Sequence, residues 1–292
     1  MRRTLGMKDL AATLTALYLR GAPRPVELRR ACWPGVLGAL RRSGCSIGEA
    51  SEALGEAGYW AEALILQSQG LLEWARSIVE ERRVLTAADN DYPVRWPRVL
   101  GPSAPPVLWR SGDFPSLPSV SVVGSRVVRP AVATFCERSA NEAIALGFAI
   151  VSGRAEGCDR AAARGAQKAG GGLVEILPYG LDLAGPSAGC LLSLCAPDEP
   201  FSAAAAMERN ALIYAASAHT VVGHARFKEG GTWHGAVSAI RSRLSTLVVR
   251  RSEDIAMRSL VALGGVWLDS PSDLGLALKT AGPQRQLFGS AI

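Results

Sequence analysis

The sequence predicts an α/β fold: a Rossmann-like parallel sheet with helices on both faces, preceded by a small N-terminal helical domain. Three observations carry this. After Pro118, short apolar runs of strand length alternate with amphipathic helical stretches, which is the pattern of a parallel sheet covered on both sides. Before Val84 the apolar residues recur only at helical spacing, with Ala, Leu, Glu and Arg dominant. Small and basic residues follow directly on several of the strand-like runs, at the carboxyl ends where open α/β sheets bind ligands.

In chain order, residues 1–82 read as several short helices, with breaks at Gly21-Ala-Pro-Arg-Pro, Trp33-Pro-Gly and Gly44-Cys-Ser-Ile-Gly. Residues 83–118, rich in Pro and Asp, form a bridging extension packed on the core, because their aromatic residues need somewhere to pack. They hold two short strands, Arg83–Thr86 and Val107–Arg110. The core spans 119–283. Its expected strands are Val120–Val123, Phe148–Val151, Leu173–Leu177, Leu191–Cys195, Thr220–Gly223, Thr246–Val249 and Val266–Leu268. Helices are expected over Ala131–Ala145, Asp159–Lys168 and Met207–Ser217, from near Thr232, and over Ser272–Lys279, with one more before the last strand. Residues 284–292 read as a frayed tail.

Composition bounds the function. With 292 residues and 48% hydrophobic content, the chain supports a sizeable core and excludes global disorder. The net charge of +6 comes from Arg rather than Lys, and Arg forms forked contacts to phosphate. Six cysteines without C-x-x-C spacing and three histidines give no zinc pattern. No secretory h-region follows Met1 and no apolar run is long enough to span a membrane. The expectation is a reduced, cytoplasmic protein without a metal or other cofactor.

"SVSVVGSRVVRP" ends a strand at Gly124, Ser125 and Arg126. Glycine lets backbone approach an anion, serine offers a hydroxyl and arginine a fork of donors. The same residues also suit an ordinary strand-to-helix turn with one surface arginine, and no G-x-G-x-x-G dinucleotide fingerprint follows. "VSGRAEGCDRAAARGA" ends the next strand at Ser152 and Gly153, with Asp159 placed to cap the following helix and Cys158 as a small buried residue. "MERNALIYAASAHTVVG" sets Arg209 and Asn210 early in a helix. "ARFKEGGTWHGA" brings Arg226 and Lys228 before Gly230, Gly231 and Thr232 at a helix start, the composition of an anion-binding loop. Arg226 alone says little. Convergence of these segments on one sheet edge carries the weight.

In that order, the segments resemble the DNA-processing protein A family (DprA, also called Smf). Val123-Gly124-Ser125-Arg126 matches its V-G-S-R, and Ser152-Gly153-Arg154-Ala155-Glu156-Gly157-Cys158-Asp159 its S-G-x-A-x-G-x-D. Gly180-Leu181-Asp182, Arg209-Asn210 and Gly230-Gly231-Thr232 stand where the family has G-x-D, R-N and a small-residue loop. The bridge is similar to the family's D-x-D-Y-P and P-P-x-V-L segments, and the likeness runs from about residue 84 to 250. Departures stand at Ala163 and Ala211, where the family usually has His and Arg, and in the recast loop at Gly230-Gly231-Thr232. No winged-helix tail of the kind some members carry is expected.

The resemblance implies a non-enzymatic homodimer that binds and protects single-stranded DNA and loads the RecA recombinase in DNA uptake, transformation and recombination. On it, Arg126, Arg209 and Lys228 are expected as phosphate contacts. Gly124, Ser125, Ser152 and Gly153 form the floor, Gly230, Gly231 and Thr232 the anion loop, and Asn210 reaches a base or sugar. Trp233 and Phe227 are either stacking platforms or core. The alternative is a nucleotide-binding or nucleotide-hydrolysing enzyme of the lysine-decarboxylase-like Rossmann group. "EGGTWHGA" carries a fragment of that group's loop without its Glu, and Glu156 and Glu175 are the substitute carboxylates. A scaffold with a decayed pocket is the third reading.

Overall fold

The computed structural model describes residues 7–20, 26–43 and 46–280. The chain clusters into two units, Met1–Ser111 and Gly112–Ile292. In the first, Leu10, Leu14 and Leu17 recur on one helical face and are buried. They lie on α1 (Met7–Thr15) and the π-helical turn Ala16–Arg20 that continues it. Then come α2 (Val26–Arg42), α3 (Ile47–Glu56), α4 (Trp60–Ile65) and α5 (Gln69–Glu80). α5 buries Leu72, Ala75 and Ile78 and packs against α1. α3 starts on a capping box in which Ser46 and Glu49 satisfy each other's backbone N–H.

One expected break is absent, because α2 runs straight through Pro34. Proline removes a single backbone donor there. The buried face of Trp33, Val36, Leu37 and Leu40 carries the helix across it. The break at Gly21-Ala-Pro-Arg-Pro lies outside the described residues, and that at Gly44-Cys-Ser-Ile-Gly is described only from Ser46.

The Pro/Asp-rich segment folds within this first unit. β1 (Val84–Thr86) pairs antiparallel with β2 (Val107–Ser111), with α6 (Arg95–Leu100) between them. Its acidic and aromatic residues hold the loop. Asp89 Oδ2 accepts from Thr86 N at 2.7 Å, Tyr92 Oη donates to the Pro105 carbonyl at 2.6 Å, and Arg110 donates to Asp91 at 2.8 Å. Tyr92 meets the fully buried Trp96 edge-on, with ring centroids 5.4 Å apart.

The second unit is built on β3 (Ser119–Val123), β4 (Ala149–Ser152), β5 (Leu173–Leu177), β6 (Cys190–Ser193), β7 (His219–Val222), β8 (Thr246–Arg250) and β9 (Val266–Leu268). All are parallel, in the order β6-β5-β4-β3-β7-β8-β9. The chain starts in the middle at β3, moves out to β6, then returns to β7 on the other side. That reversal opens a crevice at the carboxyl ends of β3 and β7, the place where doubly wound sheets bind ligands.

Helices α7 (Pro130–Ala145), α8 (Cys158–Lys168), α9 (Ala203–Ala216), α10 (Gly230–Arg241), α11 (Ile255–Ala262) and α12 (Leu274–Thr280) complete the unit. α7, α8 and α12 cover one face, where Val120, Val122, Cys136, Ala140, Cys158, Ala162 and Leu274 share one core. α9 lies on the opposite face, joined by α10 and α11. Ser121, between two inward valines, points to α9 and donates to the Ile213 carbonyl at 2.6 Å. α7 and α8 approach so closely that a Cβ on Gly165 would strike the Glu137 backbone.

Most expected elements sit within one or two residues of their observed bounds. The largest shift is α9, which begins four residues early at Ala203. Ser202 caps it through Ala205 N at 3.0 Å, and the alanine run Ala203–Ala206 has the highest helix propensity available. The tail at 284–292 lies outside the described residues. Among the described residues, no helix is long and apolar enough to cross a membrane.

Candidate functional site

The crevice between β3 and β7 widens into a cleft of about 670 Å³. The end of β3 and the turn after it supply Val123–Val127, the start of α8 supplies Asp159, and one face of α9 supplies Met207, Asn210 and Ile213. The turn after β7 supplies Arg226 and Glu229–Thr232, and Phe201 stands at the entrance to α9. Of the residues expected at a site, this brings together Gly124, Ser125, Arg126, Arg209, Asn210, Gly230, Gly231 and Thr232.

The first turn of α10 is left open to the cleft. Glu229 occupies its N-cap without a side-chain hydrogen bond, and Gly230 takes a positive φ of 72°. Backbone N–H groups at such an end carry partial positive charge and lack intrahelical partners. Asn210 Nδ2 lies beside Gly231, and Tyr214 Oη donates to the Thr232 carbonyl at 3.4 Å. Arg126 is exposed, its guanidinium 5.7 Å from the centroid of Phe201, itself half exposed. Val127 and Met207 extend this apolar rim. The mouth therefore offers a cation lying on an aromatic face beside aliphatic surface, with an open helix start opposite.

Beneath it lies a buried charge pair. Asp159 is buried, and its pKa is pushed up to about 6, chiefly by burial, against the pull of Arg209 and backbone N–H groups of Ala155, Gly153 and Gly124. Arg209 is also buried, which lowers its pKa; its Nη1 donates to the Ile176 carbonyl at 2.8 Å. Its Nε has no partner among the described residues. The expectation that Asp159 caps α8 is corrected: Gly157 occupies the N-cap, and Asp159 sits inside the first turn, tying the β3 and β4 turns to α9.

Other placements differ from expectation. Lys228 is not among the cleft's lining residues. It sits in the left-handed region at φ 58°, with its ammonium 5.2 Å from the centroid of Phe227, while Arg226 lines the cleft. Ser152 and Gly153 do not form its floor. Ser152 Oγ is buried and donates to the Val122 carbonyl at 2.8 Å, and a Cβ on Gly153 would collide with the Arg209 guanidinium that covers it. Gly124 does line the cleft, but its missing Cβ makes room for Cys158, at 2.6 Å from that residue's Cβ position. Cys158 is buried, as expected of a small apolar residue. Trp233 is core and meets Phe227 edge-on, with neither ring in the lining.

The two substitute carboxylates are engaged elsewhere. Glu175 accepts from Arg154 at 2.9 Å and from Ser187 at 2.8 Å, and exposed Glu156 pairs with Arg160 one turn on. Neither lines the cleft. Among the described residues, no cluster of His, Cys, Asp or Glu side chains is arranged to hold a metal ion.

Comparison with known proteins agrees with this architecture. The DNA processing protein A of Streptococcus pneumoniae shares the fold with a TM-score of 0.66 and 18% identity, over 94% of this chain and 98% of that one. A DNA processing protein A from Helicobacter pylori, whose structure describes its single-stranded DNA binding mode, matches with a TM-score of 0.59 and 22% identity, over 68% of this chain and 96% of that one. No curated protein sequence matches the chain. The family model of the DNA recombination-mediator protein A matches residues 83–259. That stretch takes in the Asp-Tyr-Pro loop, the sheet from β3 to β8 and every turn that lines the cleft, and the chain belongs to the DNA recombination-mediator protein A family.

Proposed function

We propose that the cleft binds single-stranded DNA without reading its sequence, and that the protein protects such strands and delivers them to a RecA-type recombinase. On this reading it acts as a homodimer in the cytoplasm, by binding rather than by catalysis. The observation that carries it is the union of Arg126 and Arg226 with the open start of α10 along one crevice, beside the exposed ring of Phe201. Phosphates suit the first set and a base face suits the second. The relative from Helicobacter pylori with this fold is described as binding single-stranded DNA.

The test is binding of a fluorescent oligothymidylate across a salt series, beside a duplex of the same length. The expected result is binding that favours the single strand and weakens log-linearly with salt, with about 0.7 of slope for each phosphate neutralised. Equal affinity for the two forms would count against the reading, because a basic surface alone attracts any polyanion.

A further inference from the structure

Where β3 and β7 end side by side, their turns are clasped together. Ser125 N donates to the His224 carbonyl at 3.0 Å, and Ser125 Oγ lies 2.9 Å from His224 Nδ1. Ser125 lines the cleft, whereas His224 stands half-buried just behind it. The charged groups around the imidazole are Arg129 at the start of α7, Arg226 in the turn after β7, Arg250 at the end of β8 and Asp254 at the start of α11. Arg250 is held there by donating from Nε to the Gly223 carbonyl at 2.8 Å. Arg226 is paired with Glu229 at 3.6 Å, so Arg129 and Arg250 against Asp254 leave this corner cationic, and Ser125 and Arg226 are the members of it that line the cleft.

We propose that Ser125 and His224 form a proton-linked phosphate subsite, in which His224 is a positioning residue that sets whether the Ser125 hydroxyl can donate to the strand. This inference rests on the single-stranded DNA reading above. A neutral imidazole with a bare Nδ1 accepts the hydroxyl hydrogen, so Ser125 turns lone pairs toward the cleft and repels a phosphate oxygen. A protonated imidazole donates from Nδ1 to Oγ instead. The hydroxyl hydrogen is then free of the ring; within the protein its acceptor is the His224 carbonyl, at a long 3.4 Å, and a phosphate oxygen in the cleft, being charged, is the stronger acceptor.

The electrostatics fit such a switch. In the free protein the His224 pKa is lowered, first by burial, with Arg250, Arg226 and Arg129 acting the same way and Asp254 opposing them. The imidazole is therefore neutral at pH 7. A phosphate bound at Ser125 adds negative charge beside it and raises that pKa, so binding takes up a proton. The sign follows by linkage. Affinity climbs as pH falls through the bound-state pKa, by at most about tenfold per pH unit, and levels off below the free-state pKa.

The experiment measures oligothymidylate binding by the wild type and by His224→Gln from pH 5.5 to 8.5 at fixed salt. Asp159 also titrates in this range, so the difference between the two proteins isolates His224. Expected is a slope in the wild type that is reduced in His224→Gln, while the variant still prefers the single strand at pH 8. The same slope in both proteins overturns the subsite but leaves the parent reading standing. Failure of the wild type to bind the single strand at any pH overturns both. An NMR titration of the imidazole in the wild type guards against a misfolded variant: its pKa should rise when the oligonucleotide is added, and an unchanged value contradicts the proposal.

Discussion

Replacing Arg209 with alanine is expected to cost the fold about 3–5 kcal/mol at pH 7.5, because it leaves the buried Asp159 carboxylate without its cation. The pH dependence is the sharper signature. The Asp159 pKa is raised from 3.8 to about 6 by the fold, so between these values the native chain holds a proton that the unfolded chain has lost. Stability from this group therefore falls as pH rises from about 4 to about 6, by about 3 kcal/mol, and is flat above. Arg209 pulls that pKa down, so Arg209→Ala should extend the decline to higher pH, and Asp159→Asn should abolish it. Urea melts at half-unit pH steps read both effects. A loss under 1 kcal/mol with an unchanged profile would show that the pair does not tie the turns together.

Arg126→Ala should produce the largest loss in single-strand affinity of any one exposed residue, roughly 10–100-fold, equivalent to one hydrogen bond to a charged group. Arg126 stands at the mouth with its guanidinium on the exposed face of Phe201, so it can meet a phosphate while the ring beside it meets a base. The salt slope should drop by about 0.7 in the same variant, the share of one single-strand phosphate contact. Thermal stability should hold, since Arg126 is exposed and its described contact is with the half-exposed ring of Phe201. A variant that melts as the wild type and binds as tightly would remove Arg126 from the interface.

Much of this architecture is legible in the sequence because parallel strands buried on both faces read as short, mainly apolar runs, interrupted only by single polar residues such as Ser121 and Glu175. Leu173–Leu177 is buried at every position and coincides with its expected bounds. The convergence of the Gly124, Arg209 and Gly230 segments is legible too, since all follow or precede strand ends on the carboxyl edge. What periodicity does not carry is side-chain direction within a tight turn. Arg226 and Lys228 are two residues apart, yet Arg226 lines the cleft and Lys228, in the left-handed region, does not. Phe201 lies in a stretch between β6 and α9 with no repeat to betray it. Asp159 reads as a cap because an acidic residue at a helix start usually is one, and only the tertiary placement of Arg209 gives it another partner. The His224–Ser125 contact joins residues 99 apart and has no local signature at all.

Lys228 and Arg226 also allow the central claim to be tested most directly. Each carries one positive charge and both are exposed, but Arg226 lines the cleft, where it pairs with the exposed Glu229 at 3.6 Å, and Lys228 does not line it. Oligothymidylate binding by Arg226→Ala and Lys228→Ala should be measured side by side across one salt series. If the cleft is the interface, Arg226→Ala weakens binding and lowers the salt slope by about 0.7, while Lys228→Ala stays close to the wild type. Equal losses in the two variants would contradict the account, because they would mean that overall charge, not the crevice between β3 and β7, holds the strand.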